Sequence, residues 1–201
     1  MTGLRVKNLI TPLFDNLSFD LPATGLYGII GRNGIGKSSL FSMISGEIKT
    51  DGNCITSGKV SYVPSLAIFD QHLSANDYLK LLAKDELAVF EDNLRVMGGA
   101  DFFKQKIGKY SLGMKELFAF TFAVSIPSDV LILDELLDGL DEKRRLQALK
   151  LLQQVSKEKL VIFTSHNLTE VFTYSDRVYL LEKASLSQMA SLAEASLKMS
   201  I

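Results

Sequence analysis

Cysteine is almost absent from the 201-residue sequence, which contains only Cys54. A single thiol forms no internal disulfide and builds no structural zinc site, so neither kind of cross-link is expected here. Such sparse cysteine usage fits a reducing compartment such as the cytoplasm. We interpret Cys54 as an unpaired thiol beside a turn.

Long apolar runs are missing as well. The longest, residues 117–124, is interrupted by Thr121, whereas a helix that crosses a bilayer needs about 18 apolar residues. Residues 1–7 lack the apolar core of a secretory signal peptide. We therefore expect a protein that is soluble by itself and reaches a membrane only through a partner.

The sequence also has no excess of charge of either sign. Its net charge is −1 and its pI is about 6.1, so no general attraction to nucleic acid or anionic lipid is indicated. We expect no nucleic-acid partner. Hydrophobic residues at 47% and charged residues at 22% are ordinary for a globular protein with a sizeable core.

Short apolar runs with strand character recur along the chain. Residues 4–21 predict two short strands, and residues 26–30 predict a buried one. Further strands are predicted within residues 59–63, 129–134, 160–164 and 177–181, with helices between several of them. Buried strands separated by helices indicate a mostly parallel sheet with helices on both faces. Ligands of such sheets bind at the carboxyl ends of the strands.

Helical patterns fill the middle and the end of the sequence. Ser74 and Asp77 have the spacing of a capping box, and a helical pattern over residues 86–108 breaks at Gly98 and Gly99. We predict one domain over residues 1–183, with a small helical lobe at about residues 66–116. The Ala-, Ser- and Leu-rich tail, residues 184–201, is predicted to be helical.

Residues 31–38, Gly-Arg-Asn-Gly-Ile-Gly-Lys-Ser, fit the phosphate-loop pattern G-x-x-x-x-G-K-[ST] between a predicted strand and a helix. Its glycines allow backbone N–H groups to face phosphate oxygens, and the helix N-terminus adds partial positive charge. Lys37 would reach the β- and γ-phosphates, and the Ser38 hydroxyl would ligate Mg²⁺. The expected nucleotide contacts are Gly31, Asn33, Gly34, Gly36, Lys37, Ser38 and Ser39.

Two further strand ends carry candidate catalytic groups. Asp134 and Glu135 follow a buried strand, where an acid is costly unless it has a partner. Asp134 would hold the Mg²⁺ shell and Glu135 would deprotonate an attacking water, as nucleotide hydrolysis requires. His166 follows the strand at 160–164 and would bond the γ-phosphate. A histidine there is often only a capping or packing residue, and the neighbouring motifs favour the functional role.

Residues 110–115, Tyr-Ser-Leu-Gly-Met-Lys, resemble the Leu-Ser-Gly-Gly-Gln signature of ABC nucleotide-binding domains, and residues 139–141 resemble their D-loop. The resemblance covers about residues 4–182. It implies an α/β P-loop NTPase fold with an N-terminal antiparallel β part, and ATP and Mg²⁺ as cofactors. It also implies a head-to-tail dimer with a second nucleotide-binding domain. Ser111, Gly113 and Asp141 would then act on the nucleotides that the dimer encloses.

The sequence departs from the family pattern at several places. Ser65 stands where a Gln is usual, and residues 7–11 contain no aromatic residue to stack on adenine, with Phe14 as an alternative. The usual Pro-Thr after the acids is Leu-Leu at 136–137, and the usual Gln-Arg of the signature helix is Glu116-Leu117. Because Lys37, Asp134, Glu135 and His166 are all present, we expect hydrolysis to survive at a reduced rate.

The resemblance implies an ATPase subunit at the cytoplasmic face of a bacterial membrane, bound to a separately encoded permease. The signature variant resembles that of exporters of peptides or small hydrophobic compounds. One alternative is a soluble ABC ATPase outside transport, which Ser65 favours. Another is a weakly active partner in a heterodimer, which Leu112, Met114 and Ser65 favour. A P-loop kinase would need neither Ser111 nor Gly113.

Overall fold

The computed structural model describes residues 3–50, 52–64, 66–99 and 101–199. Within these ranges its helices are α1 (Lys37–Ile44), α2 (Ala75–Leu79), α3 (Lys84–Val96), α4 (Leu112–Ser125), α5 (Glu142–Val155), α6 (Leu168–Tyr174) and α7 (Leu192–Met199). Its strands are β1 (Leu4–Leu9), β2 (Leu17–Leu21), β3 (Gly25–Ile30), β4 (Ile55–Thr56), β5 (Val60–Tyr62), β6 (Val130–Asp134), β7 (Leu160–Thr164), β8 (Arg177–Leu181) and β9 (Leu186–Met189). None of the helices in the described ranges has the length and apolar character to span a membrane.

The central layer is a six-stranded sheet in the order β5-β6-β7-β3-β8-β9. The first five strands are parallel, and β9 joins the edge antiparallel to β8. Strand β7 is buried along its whole length, as is β6 up to Asp134, because helices cover both faces of a parallel sheet. The mostly parallel sheet predicted from the sequence is confirmed.

A second, antiparallel sheet has the order β2-β1-β4, and it confirms the two strands predicted within residues 4–21. Leu4 and Val6 of β1 alternate inward, and a register shift between Val6 and Leu9 places Leu9 on the same buried face. They share a hydrophobic core with Leu40 and Phe41 of α1. This sheet therefore packs against the helix that follows the phosphate loop.

The helical lobe holds α2 and α3 against α4 through aromatic side chains. The Phe118 ring of α4 lies 6.0 Å from that of Tyr78 in α2 and 6.4 Å from that of Phe90 in α3. Ser74 and Asp77 form the predicted capping box at the start of α2. Because α4 packs on both the lobe and the sheet, it links them mechanically.

The helical pattern predicted over 86–108 breaks at Gly98 and Gly99 as expected, since α3 ends at Val96 and these two glycines adopt positive φ angles of 88° and 72°. Beyond the break, the described residues up to 108 do not continue as an α-helix, and a short 3₁₀ turn forms at Ile107–Lys109. The prediction of a helical tail over 184–201 was wrong in part, because β9 precedes α7. A turn in which the Glu182 N–H donates to the Ser185 carbonyl at 2.9 Å folds β9 back onto β8, and this edge pairing overrides the local helical preference.

Candidate functional site

The phosphate-loop residues form a tight curve between β3 and α1. Gly34 and Gly36 have φ angles of 80° and 105°, a left-handed region that favours glycine. A Cβ at Gly36 would also lie 3.0 Å from the Phe14 ring. The Lys37 ammonium donates to the Gly31 carbonyl at 3.0 Å across the loop. The loop thus keeps the shape that its glycine spacing predicts.

The predicted catalytic residues meet the loop at one cavity of about 380 Å³. Glu135 and His166 are about 100 or more residues from the loop in sequence, yet both line the same cavity as the loop. The parallel order β6-β7-β3 brings the three strand ends together at one sheet edge. The cavity is lined by Leu13, Asn33, Gly34, Gly36, Lys37, Ser38, Ser39, Glu135 and His166.

Asp134 sits at the centre of a hydrogen-bond network behind this cavity. Its carboxylate accepts from the Ser38 hydroxyl and, at 2.8 Å, from the Thr164 hydroxyl. The Thr164 hydroxyl in turn accepts from the Glu135 N–H at 2.9 Å. Thr164 is thus a site residue that sequence analysis missed. The signal was a hydroxyl at the last position of β7, directly opposite Asp134 in the sheet register.

Glu135 has a φ angle of 53°, which is uncommon for a residue other than glycine and concentrates at functional sites. Its carboxylate lies 3.2 Å from His166 Nε2. A second acid, Asp138, accepts from the Ser165 hydroxyl at 2.8 Å and from the His166 N–H at 3.3 Å. Sequence analysis missed Asp138, which holds the histidine segment in place beside Glu135.

Ser111, Gly113 and Asp141 do not line this cavity. Ser111 caps α4 and accepts from the Met114 N–H at 3.3 Å, and Asp141 caps α5 and accepts from the Arg144 N–H at 3.0 Å. A Cβ at Gly113 would lie 2.9 Å from the Gly139 carbonyl oxygen. Glycine at 113 therefore allows the signature helix to approach the 136–141 segment closely.

Phe14 is not available to stack on a base, so that expectation is wrong. Its side chain is fully buried beneath Gly36 because it belongs to the core of the antiparallel sheet. Leu13 lines the cavity instead, and sequence analysis missed it because only aromatic residues were sought. Ser65, at the position where Gln is usual, lies outside the described residues.

The donor set fits a cation that needs few protein ligands. Among the described residues, no group of three or more His, Cys, Asp or Glu side chains has a geometry that could hold a metal ion. The Ser38 hydroxyl and the Asp134 carboxylate are nevertheless in direct contact at the loop. Mg²⁺ commonly takes one or two protein oxygens and completes its shell with water and substrate phosphates.

Known proteins resemble this chain in sequence and in fold. The family model described as "ABC transporter" matches residues 14–138, which include the phosphate loop, the signature and both strand-end acids. The teichoic acids export ATP-binding protein TagH of Lactiplantibacillus plantarum is 30% identical over 202 aligned positions, covering 94% of this chain. The ATP-binding protein BexA of Haemophilus influenzae is 27% identical over 188 positions, covering 90% of this chain and 86% of BexA.

The chain spans 56% of the length of that TagH protein. A solved structure described as the ATP binding subunit of an ABC transporter superposes with a TM-score of 0.82, covering 100% of both chains at 19% identity. At 19% sequence identity, this structural similarity establishes the fold alone.

Proposed function

The chain belongs to the ABC transporter family and carries its ATP-binding domain, and from this we propose that it hydrolyses ATP to power a separately encoded membrane transporter. The observation that carries the proposal is the cavity where the phosphate loop meets Glu135 and His166. A loop that binds phosphates, next to an acid and a histidine, suits phosphoryl transfer to water.

ATP would bind with its phosphates in the curve of residues 31–38. Backbone N–H groups and the α1 N-terminus would stabilise the negative charge, and Lys37 would release the Gly31 carbonyl to contact the β- and γ-phosphates. The Ser38 hydroxyl and the Asp134 carboxylate would hold Mg²⁺, whose charge offsets that of the phosphates. Thr164 supports this arrangement by orienting the Asp134 carboxylate.

Hydrolysis would use the two side chains on the opposite wall of the cavity. The Glu135 carboxylate would accept a proton from the attacking water. The His166 ring, which contacts Glu135 at 3.2 Å, would donate a hydrogen bond to the γ-phosphate. The left-handed backbone at Glu135, anchored by its N–H to Thr164, directs this carboxylate toward the loop.

A dimer would bring the signature to the nucleotide. Ser111 and Leu112 are exposed, with Leu112 at 59%, and neither lines the cavity of the same chain. In a head-to-tail dimer with a second nucleotide-binding domain, Ser111 and Gly113 would meet the ATP held by the partner's phosphate loop. The N-terminus of α4 favours an anion there.

The helical lobe offers a surface for a membrane-embedded permease at the cytoplasmic face of a bacterial membrane. Exposed apolar side chains mark a protein contact where they form a contiguous patch. The TagH name, which specifies teichoic acids export, supports export as the direction of transport. It does not single out peptides or small hydrophobic compounds, so that cargo class stays a prediction. The exposed large apolar residues of the lobe before α4 are Ile68, Leu73, Leu81, Val89 and Val96.

Steady-state ATP turnover of the full chain tests the catalytic assignment. We expect Glu135→Gln to bind ATP but to reduce kcat by about 100-fold or more, since it loses the base that activates water. Glu91→Gln, an exposed acid on α3, serves as the control and should match the wild type. Equal turnover by wild type and Glu135→Gln would overturn the assignment.

Affinity capture from detergent-solubilised membranes tests the transport assignment. We expect a polytopic membrane protein to co-purify with the tagged chain. Recovery of soluble partners alone would instead support an ABC ATPase that acts outside transport.

A further inference from the structure

Glu116 is the one charged side chain that the structure buries among its described residues, with 5% of its surface exposed. It lies in α4, one turn after Ser111, and does not line the phosphate-loop cavity. A buried carboxylate costs free energy unless it is hydrogen-bonded. The hydrogen-bond partner of the Glu116 carboxylate therefore indicates the role of this residue.

That partner is the backbone of the 136–141 segment. Glu116 Oε2 accepts from the Gly139 N–H at 2.7 Å. A Cβ at Gly139 would lie 2.6 Å from Glu116 Oε1, and one at Gly113 would lie 2.9 Å from the Gly139 carbonyl oxygen. The segment and the first turn of α4 thus touch backbone to backbone, with the Glu116 carboxylate joining them.

The same segment is held on its other side by the histidine loop. Asp138 accepts from the Ser165 hydroxyl and from the His166 N–H. The segment also follows directly after Glu135 in sequence. The 136–141 segment therefore connects the signature helix to Glu135 and His166, the two proposed catalytic residues.

We propose that Glu116 is a positioning residue that fastens the 136–141 segment to the signature helix, so that displacement of α4 reaches Glu135 and His166. The inference rests on the proposed ATPase function and deepens it. When ATP on the partner domain draws Ser111 and Gly113 inward, the Gly139 N–H follows the Glu116 carboxylate. Each nucleotide site thereby senses whether the other one is closed.

The electrostatics of Glu116 favour this role over simple packing. Burial, opposed by the Gly139 N–H and assisted by the Asp138 carboxylate, raises the pKa of Glu116 to about 7. An ionised carboxylate there lowers stability near neutral pH. A group retained at a cost in stability is typical of functional positions. An apolar side chain of similar size would fill the same volume without this cost, but it would leave the Gly139 N–H without the acceptor that Glu116 supplies.

The kinetic test compares Glu116→Ala and Glu116→Gln with the wild-type full chain. A misplaced catalytic group costs up to about 100-fold. We therefore expect Glu116→Ala to lower kcat by about tenfold or more, with KM for ATP unchanged within about twofold. Glu116→Gln keeps an oxygen that accepts from Gly139, so it should restore kcat to within about threefold of wild type. A Glu116→Ala kcat equal to wild type, or no rescue by Gln, would overturn the proposal.

Amide hydrogen exchange supplies a readout that does not depend on turnover. We expect Glu116→Ala to speed exchange in residues 136–141, and Glu116→Gln to restore the protection. Thr121→Val serves as the matched control. Thr121 is fully buried on the same helix and bonds only within it, so its loss should leave this segment protected. Unchanged exchange in Glu116→Ala would overturn the proposal.

The two readouts separate this inference from the ATPase proposal. If the wild type turns over ATP and Glu135→Gln does not, the ATPase proposal stands whatever Glu116→Ala shows. If the wild type shows no turnover, the ATPase proposal fails. The exchange data alone then decide whether Glu116 fastens the segment.

Discussion

Replacing Glu116 by Gln should change how the stability of the protein depends on pH. The pKa of this carboxyl rises from 4.5 to about 7 on folding, so between these values the folded state holds a proton that the unfolded state has released. Stability therefore falls as pH rises through this window. At 1.36 kcal/mol per pKa unit, the loss attributable to Glu116 is about 3 kcal/mol above pH 7.

Gln at this position cannot ionise, so Glu116→Gln should not show this loss. Other groups titrate equally in both proteins and cancel when the two are compared. We expect the unfolding free energy of Glu116→Gln relative to wild type to increase by about 3 kcal/mol between pH 4.5 and pH 8. The stability of the wild type relative to Glu116→Gln should therefore be highest near pH 4.5.

Urea unfolding of both proteins at several pH values measures this difference directly. Glu91→Gln replaces an exposed acid and serves as the control, with an expected change below about 0.5 kcal/mol. A difference between wild type and Glu116→Gln that stays constant from pH 4.5 to pH 8 would show that Glu116 is not held in a desolvated site.

Two further substitutions test the cavity. Thr164→Val keeps the side-chain shape but removes the hydroxyl between Asp134 and the Glu135 N–H. Unfolding assays should show a stability about 1–3 kcal/mol lower than that of the wild type, and turnover assays should show a lower kcat. Thr173→Val, an exposed hydroxyl on α6, should change neither, and a fully active Thr164→Val would refute the role of Thr164. Leu13→Tyr places a ring beside the cavity and should tighten ATP binding several-fold in calorimetry, since base stacking contributes about 1–3 kcal/mol; unchanged affinity would show that the base lies elsewhere.

The sheet and the phosphate loop were predictable because their determinants are local. The glycines at 34 and 36 and the start of α1 at Lys37 lie within a few residues of one another, and a short backbone curve needs only those residues. Apolar runs such as residues 130–133 are buried on both faces and so predict parallel strands without knowledge of their neighbours.

The hydrogen-bond partners around the cavity were not predictable, because they join residues far apart in sequence. Thr164 meets Asp134 across 30 residues, Ser165 meets Asp138 across 27, and the Gly139 N–H meets Glu116 across 23. Only the pairing of β6 with β7 and the packing of α4 bring these groups within bonding distance.

The sequence by itself determined most of the strands and helices, the phosphate loop and the identity of the candidate catalytic groups, since each depends on residue type and short spacing. Tertiary structure alone decided that Phe14 is buried, that Leu13 faces the cavity and that residues 186–189 form an edge strand. Those outcomes depend on which surfaces meet during folding, and a local pattern contains no information about the surface on the other side of the contact.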